Sequence, residues 1–222
     1  MRLTKKHLIL GCFISLLLFS FTGCKKGPEE TVSPKKTVDA YCKSVLKQNH
    51  SDLISVLGYS KEHAAKVDAS FNTALSSKLE QGAASLNTSI DKKIITQTCE
   101  FMTNQTKRIK YSSKQVSKTK DTVTYELTSQ ILDYSPLTES ISAKVKEQIK
   151  NNKIQTKEQI KDALINETTT YFKEIKPSKE KKSLKLTLKE KTVTIDDTKV
   201  KRYVPEDESA FIQEIQNLVI KY

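Results

Sequence analysis

Apolar positions recur at helical spacing through the first half of the chain. Ser33-Pro34 is an N-cap followed by proline at the first helical position, and Val38, Tyr41, Cys42, Val45 and Leu46 then form one apolar face that should end near Asn49. A short helical turn from Asp52 to Leu57 stops at Gly58. Ser60 caps a longer helix in which Val67, Phe71, Leu75 and Leu79 recur every four residues, with Gly82 leaving its far end unassigned. Ile90, Ile94, Ile95, Cys99, Phe101 and Met102 predict a third, core-facing helix from about Thr88 to Asn104.

The period then changes to two. Val123, Tyr125, Leu127 and Ile131 alternate with polar residues, and a weaker strand over Arg108 to Val116 precedes them across a turn at Lys118 to Asp121, predicting a hairpin with one wet face. Helical spacing returns at Ser135-Pro136 with Leu137, Ile141, Val145 and Ile149. After Asn151-Asn152, a capping box at Thr156 to Gln159 opens a second helix carrying Ile160, Leu164, Tyr171, Phe172 and Ile175, which Pro177 stops. These two helices form a hairpin insert over about 136–176. Leu184, Leu186 and Leu188 alternate, as do Val193 and Ile195, but the apolar phase switches from even to odd, which predicts a turn or bulge at Glu190-Lys191. Asp207 or Glu208 opens a closing helix with Phe211, Ile212, Ile215, Leu218 and Val219 on one side.

Helices, a strand pair, a helical insert, another strand pair and a final helix predict an α+β fold: a curved antiparallel sheet of about four strands packed against helices. Three stretches carry a family likeness: Ser33-Pro34-Lys35-Lys36-Thr37-Val38-Asp39-Ala40-Tyr41, the strand Thr122-Val123-Thr124-Tyr125-Glu126-Leu127, and Asn152 to Leu164 leading into Lys185-Leu186-Thr187-Leu188-Lys189. Over residues 33 to 200 the chain resembles Gram-positive lipoproteins of uncharacterised function whose domain is cystatin-like or nuclear-transport-factor-like. That resemblance implies a curved sheet backed by helices, with the conical pocket that nuclear-transport-factor-like folds often have, and carries no catalytic signature.

The N-terminal segment has a different composition. Arg2, Lys5 and Lys6 precede an apolar run from Leu8 to about Phe21, the layout of a secretory signal. Fourteen helical residues reach about 21 Å, short of a hydrocarbon core of about 30 Å. Phe21-Thr22-Gly23-Cys24 resembles the lipobox of bacterial lipoproteins, which implies cleavage between Gly23 and Cys24 and a diacylglyceryl group on Cys24. Ile9-Leu10-Gly11-Cys12 matches the same pattern less well, because it would leave the apolar residues 13–21 on the mature chain. Two acyl chains hold a protein stably on a bilayer where one does not. The predicted organisation is therefore a signal peptide over 1–23, an anchor and polar tether over 24–32, and one domain over 33–222, located on the extracytoplasmic face of the cell membrane.

Charge narrows the partners. The formal net charge is +12, and loss of 1–23 removes three basic and no acidic residues, leaving +9. Such a surface is drawn to anionic lipid headgroups and anionic wall polymers. Nucleic acid is not expected: the lysines are scattered, Arg108 and Arg202 are the only arginines after residue 24, and no nucleic-acid-binding motif is present.

Catalytic patterns are missing from the sequence. His50 and His63 stand outside any metal-ligand spacing, there is no G-x-S-x-G, P-loop, GxGxxG or CxxC, and Asp121, Asp133, Asp196 and Asp197 read as turn residues. No catalytic residue, metal ligand or cofactor is assigned. Cys42 and Cys99 fall on apolar helix faces. Export permits a disulfide between them, contributing about 4 kcal/mol in the chain-entropy model, and two buried thiols are the alternative. Two function classes follow: a non-catalytic module binding an envelope polymer, an envelope protein or a small ligand, and an enzyme working in a conical pocket.

Overall fold

Pro34 starts helix α1 (Pro34–Lys47), which lies at the centre of the domain: Val38, Ala40, Tyr41, Cys42 and Leu46 are all fully buried. The computed structural model describes residues 32–85, 91–195 and 197–221, with the backbone alone for 82–85. Ser33 stands at the N-cap without a side-chain cap bond; its carbonyl accepts the Lys36 N–H instead. Helix α2 (Ser51–Leu57) ends at Gly58, whose φ of 68° is the left-handed cap that glycine permits. Helix α3 (Lys61–Ser85) runs through Gly82, and Ser60 Oγ accepts the His63 N–H at its start, as a capping serine should.

Helix α4 spans Lys92–Thr106, not 88–104, because the Asp91 carboxylate caps it by accepting the Lys93 N–H. Ile90, assigned to this helix from its spacing, lies outside the described residues.

The main sheet has the order β1-β2-β4-β5, antiparallel throughout, from β1 (Tyr111–Lys118), β2 (Thr122–Gln130), β4 (Lys181–Ile195) and β5 (Thr198–Val204). Strand β1 begins three residues later than its pattern suggested and carries a register shift between Gln115 and Ser117. Along β2 the burial alternates without a break, with Val123, Tyr125, Leu127 and Ser129 inward; Ile131 is buried just beyond the strand. A short parallel pair, β3 (Leu132–Asp133) with β6 (Ile220–Lys221), ties the end of the chain to the segment after β2.

The turn or bulge expected at Glu190-Lys191 does not exist. β4 is one continuous 15-residue strand whose positions 181–189 pair with β2 and whose positions 189–195 pair with β5. Leu186 and Leu188 are buried in the first half, whereas Val193, Ile195 and their neighbours Val200, Arg202 and Val204 turn the opposite face inward in the second. The phase switch therefore records a change in which face is covered, without any reversal of the chain. Helix α2 covers the second half: Arg202 Nε donates to the Val56 carbonyl at 3.2 Å, and Gly58 abuts Thr194 and Ile195.

Helices α5 (Leu137–Lys150) and α6 (Lys157–Glu174) form the expected hairpin. The reciprocal capping box of Thr156 and Gln159 is present, and Ile141, Val145, Ile154 and Ala163 make a small core of their own. Helix α7 (Glu208–Val219), capped by Asp207, returns Phe211, Ile215, Leu218 and Val219 to the main core. An α+β fold with an open four-stranded antiparallel sheet is thus present, and every residue of its main core lies between Val38 and Ile220.

Candidate functional site

Gly23 and Cys24 lie outside the described residues. Cys42 on α1 and Cys99 on α4 are buried free thiols, so the structure holds no bridge between them. Burial pushes both thiols up from their ordinary range, with the Glu80 carboxylate adding to the effect at Cys99. Such thiols pack as small hydrophobes and are poor nucleophiles.

Polar chemistry concentrates where the starts of α3 and α7 meet. Glu208, the first residue of α7, accepts a hydrogen bond from Tyr41 Oη through Oε1 at 2.7 Å and lies 2.7 Å from His63 Nε2 through Oε2. Tyr59 Oη is 2.5 Å from Tyr41 Oη, and its ring lies over the His63 imidazole with centroids 4.3 Å apart. Since the single Tyr41 proton goes to Glu208, Tyr59 donates to Tyr41, giving a chain from surface to core. Burial drives both phenols far above their usual range, and for Tyr41 the neighbouring Tyr59 adds to it, so both remain protonated donors. The carboxylate sits where a helix N-terminus favours negative charge.

An open groove of about 550 Å³ flanks this cluster, with Ser60, Glu62, His63, Lys66, Ser70 and Glu208 on its walls. Both Glu208 oxygens are engaged inside the network, so the groove offers polar contacts from its rim. In the sequence His63 stood outside any metal-ligand spacing and Tyr41 on an apolar helix face. Their connection depends on Glu208, 145 residues beyond His63, and no local pattern encodes it.

A second constellation brings Ser44, Asp68 and His50 together. Asp68 accepts from Ser44 Oγ through Oδ1 and lies 2.5 Å from His50 Nδ1 through Oδ2. The carboxylate stands between the hydroxyl and the imidazole, so the base that would activate a serine is not against it. Ser44 is also fully buried. This cluster fastens α1 to α3.

Of the four aspartates read as turn residues, Asp121 lies in the β1–β2 turn and accepts the Glu190 N–H, Asp197 has φ 61° beside the β4–β5 turn, and Asp196 lies outside the described residues. Asp133 departs from that reading. It belongs to β3, where Lys221 Nζ bonds it at 2.8 Å and Ser135 donates to it twice; these bonds, Lys221 first, hold its carboxyl down to about 2. Among the described residues no group of three or more potential ligands could hold a metal, and no helix is long and apolar enough to cross a membrane.

No family model matches the chain, and no curated protein matches it. Among solved structures it is similar to the crystal structure of a lipoprotein candidate, YcdA, from Bacillus subtilis, with 18% sequence identity and a TM-score of 0.56. The similarity covers 84% of this chain and 56% of that one, so the chain spans little more than half of its neighbour's length. At this identity the likeness establishes the fold that the two proteins share.

Proposed function

We propose that this chain is an exported lipoprotein of a Gram-positive bacterium, cleaved after Gly23, diacylated on Cys24, and held on the extracytoplasmic face of the cell membrane. Residues 24–32 act as a tether and the domain from Ser33 onward is a non-catalytic binding module of the cystatin-like or nuclear-transport-factor-like kind. The observation that carries this reading is Phe21-Thr22-Gly23-Cys24 directly behind a basic start and an apolar run too short to span a bilayer. A fold shared with a Bacillus lipoprotein candidate supports it.

Binding is favoured over catalysis by the state of the inner sheet face. The enzyme reading places its conical pocket there, yet that space is filled by Tyr125, Leu127, Leu186 and Leu188, none more than 4% exposed. What the domain offers instead is open grooves and a broad polar surface. The test is the native N-terminus. Intact-mass measurement of the membrane-extracted protein should show a chain starting at Cys24 with a diacylglyceryl increment, and Cys24→Ala should move the protein out of the membrane fraction or leave it unprocessed. An unmodified Cys24 in the native protein would refute the anchor.

A further inference from the structure

We infer that the uncovered face of the β1-β2-β4 sheet is a docking surface for an extended phosphodiester-linked polyol polymer. This deepens the binding reading above and rests on it for the location of the polymer outside the cell.

The register defines the face. Thr122, Thr124, Glu126, Thr128 and Gln130 point outward from the central strand, opposite Lys189, Thr187, Lys185, Ser183 and Lys181 of β4. On the other side Ser112 lies against Thr128 and Lys114 against Glu126. No apolar side chain interrupts these twelve positions. Four lysines face one carboxylate, Glu126, which stands between Lys114 and Lys185. Lys189 reaches Glu206 at 3.4 Å, while Lys114, Lys181 and Lys185 make no ion pair among the described residues.

A wet face is ordinary for an antiparallel sheet covered on one side, and alternating charges or a neutral hydroxyl surface would satisfy water equally well. The surplus of unpaired positive charge distinguishes this one. Lys181 and Lys185 stand about 13 Å apart along one strand, and Lys114 is about 10 Å from Lys185 across two strand spacings. Hydroxyl pairs separate the lysines along β4: Thr128 with Ser183 at 2.8 Å between Lys181 and Lys185, and Thr124 with Thr187 at 3.1 Å between Lys185 and Lys189. Each pair retains donor and acceptor capacity suited to phosphate and polyol oxygens.

Lysine is a point charge that meets singly charged phosphates along a chain without demanding forked geometry. A lipid surface fits less well: none of these twelve positions carries an apolar side chain to insert, an exposed Val116 standing only at the register shift of β1, and strands twisted by about 20–25° each do not lie flat on a bilayer, whereas a flexible polymer follows the twist. The absence of aromatic residues removes the stacking platform that single-stranded nucleic acid uses.

The test uses the lipid-free chain from Lys25 onward, which contains the whole core, titrated with poly(glycerol phosphate) of defined length. Lys114→Gln/Lys181→Gln/Lys185→Gln should weaken binding about tenfold, the combined effect of three exposed charge contacts. Lys146→Gln/Lys150→Gln/Lys153→Gln, an equal charge change on the exposed part of the helical hairpin, should weaken it by no more than about twofold. Thr124→Val/Thr187→Val keeps the charge and should also weaken it. Equal losses in the two lysine triples, unchanged binding in the threonine variant, or equal affinity for phosphatidylglycerol vesicles or single-stranded DNA would each overturn the inference. Failure here leaves the mass of the native Cys24 terminus untouched, so the two readings fall separately.

Discussion

Gly58 offers the sharpest test of how the domain is assembled. Its φ of 68° closes α2 by directing its own N–H to the Ile54 carbonyl and the following Tyr59 N–H to the Leu53 carbonyl. A β-carbon built there would lie 2.7 Å from both Ile195 Cγ1 and the Thr194 carbonyl oxygen. In Gly58→Ala the left-handed backbone costs about 1–2 kcal/mol, and overpacking against a strand adds about 1–3 kcal/mol. Ile195 can rotate aside, but Thr194 is held by its pairing with Lys199, so the carbonyl contact cannot relax without shifting α2 and losing the Arg202 bond to Val56. We expect a loss of about 3 kcal/mol, or roughly 6–12 °C in Tm for a domain of this size. Urea unfolding of the lipid-free chain measures it. Gly58→Asn separates the causes, because asparagine accepts the left-handed conformation yet brings the same β-carbon; it should recover the backbone part and keep the overpacking loss of about 1–3 kcal/mol. A loss below about 1 kcal/mol for alanine, or near-complete recovery with asparagine, would show that the close approach of α2 to β4 does not contribute as described.

Three further outcomes are expected. Tyr41→Phe removes the hydroxyl between Tyr59 and Glu208 and should cost about 1–3 kcal/mol, with Tyr59→Phe costing less because that ring is only half-buried; equal costs would contradict the middle place given to Tyr41 in the chain. Asp133, held down to about 2 in the fold from an ordinary 3.8, contributes stability that is present above pH 3.8 and lost as the pH falls through about 2. Asp133→Asn should flatten that acid limb, and a carboxyl resonance titrating at or above 3.8 would refute the Lys221 bond. In the lipid-free chain Cys42 and Cys99 should resist thiol reagents when folded and both react in denaturant without reductant; fewer than two reactive thiols would reveal a bridge.

Local signals were accurate where a few neighbouring residues decide the outcome. The Ser60 cap, the glycine stop at 58 and the Thr156–Gln159 capping box form bonds within three or four residues, so their spacing is sufficient. The boundary of α4 moved because the Asp91 carboxylate captured the Lys93 N–H, a capping bond that apolar periodicity does not register. The switch of apolar phase along β4 was visible too, but its meaning was not. A turn follows only if one face of the strand is covered throughout, and the strand changes its covering partner at Lys189 instead.

By itself the sequence determined the α+β composition, the helical hairpin and the inward set of β2, because each is written in spacing along the chain. Tertiary structure alone decided that Glu208 would meet His63 and Tyr41, that Asp68 would separate Ser44 from His50, and that four lysines would share one uncovered face with a single glutamate. Those groupings join residues tens to more than a hundred positions apart. Their proximity depends on strand order and helix docking, which burial of the whole apolar surface selects at once, and which no short window of residues contains.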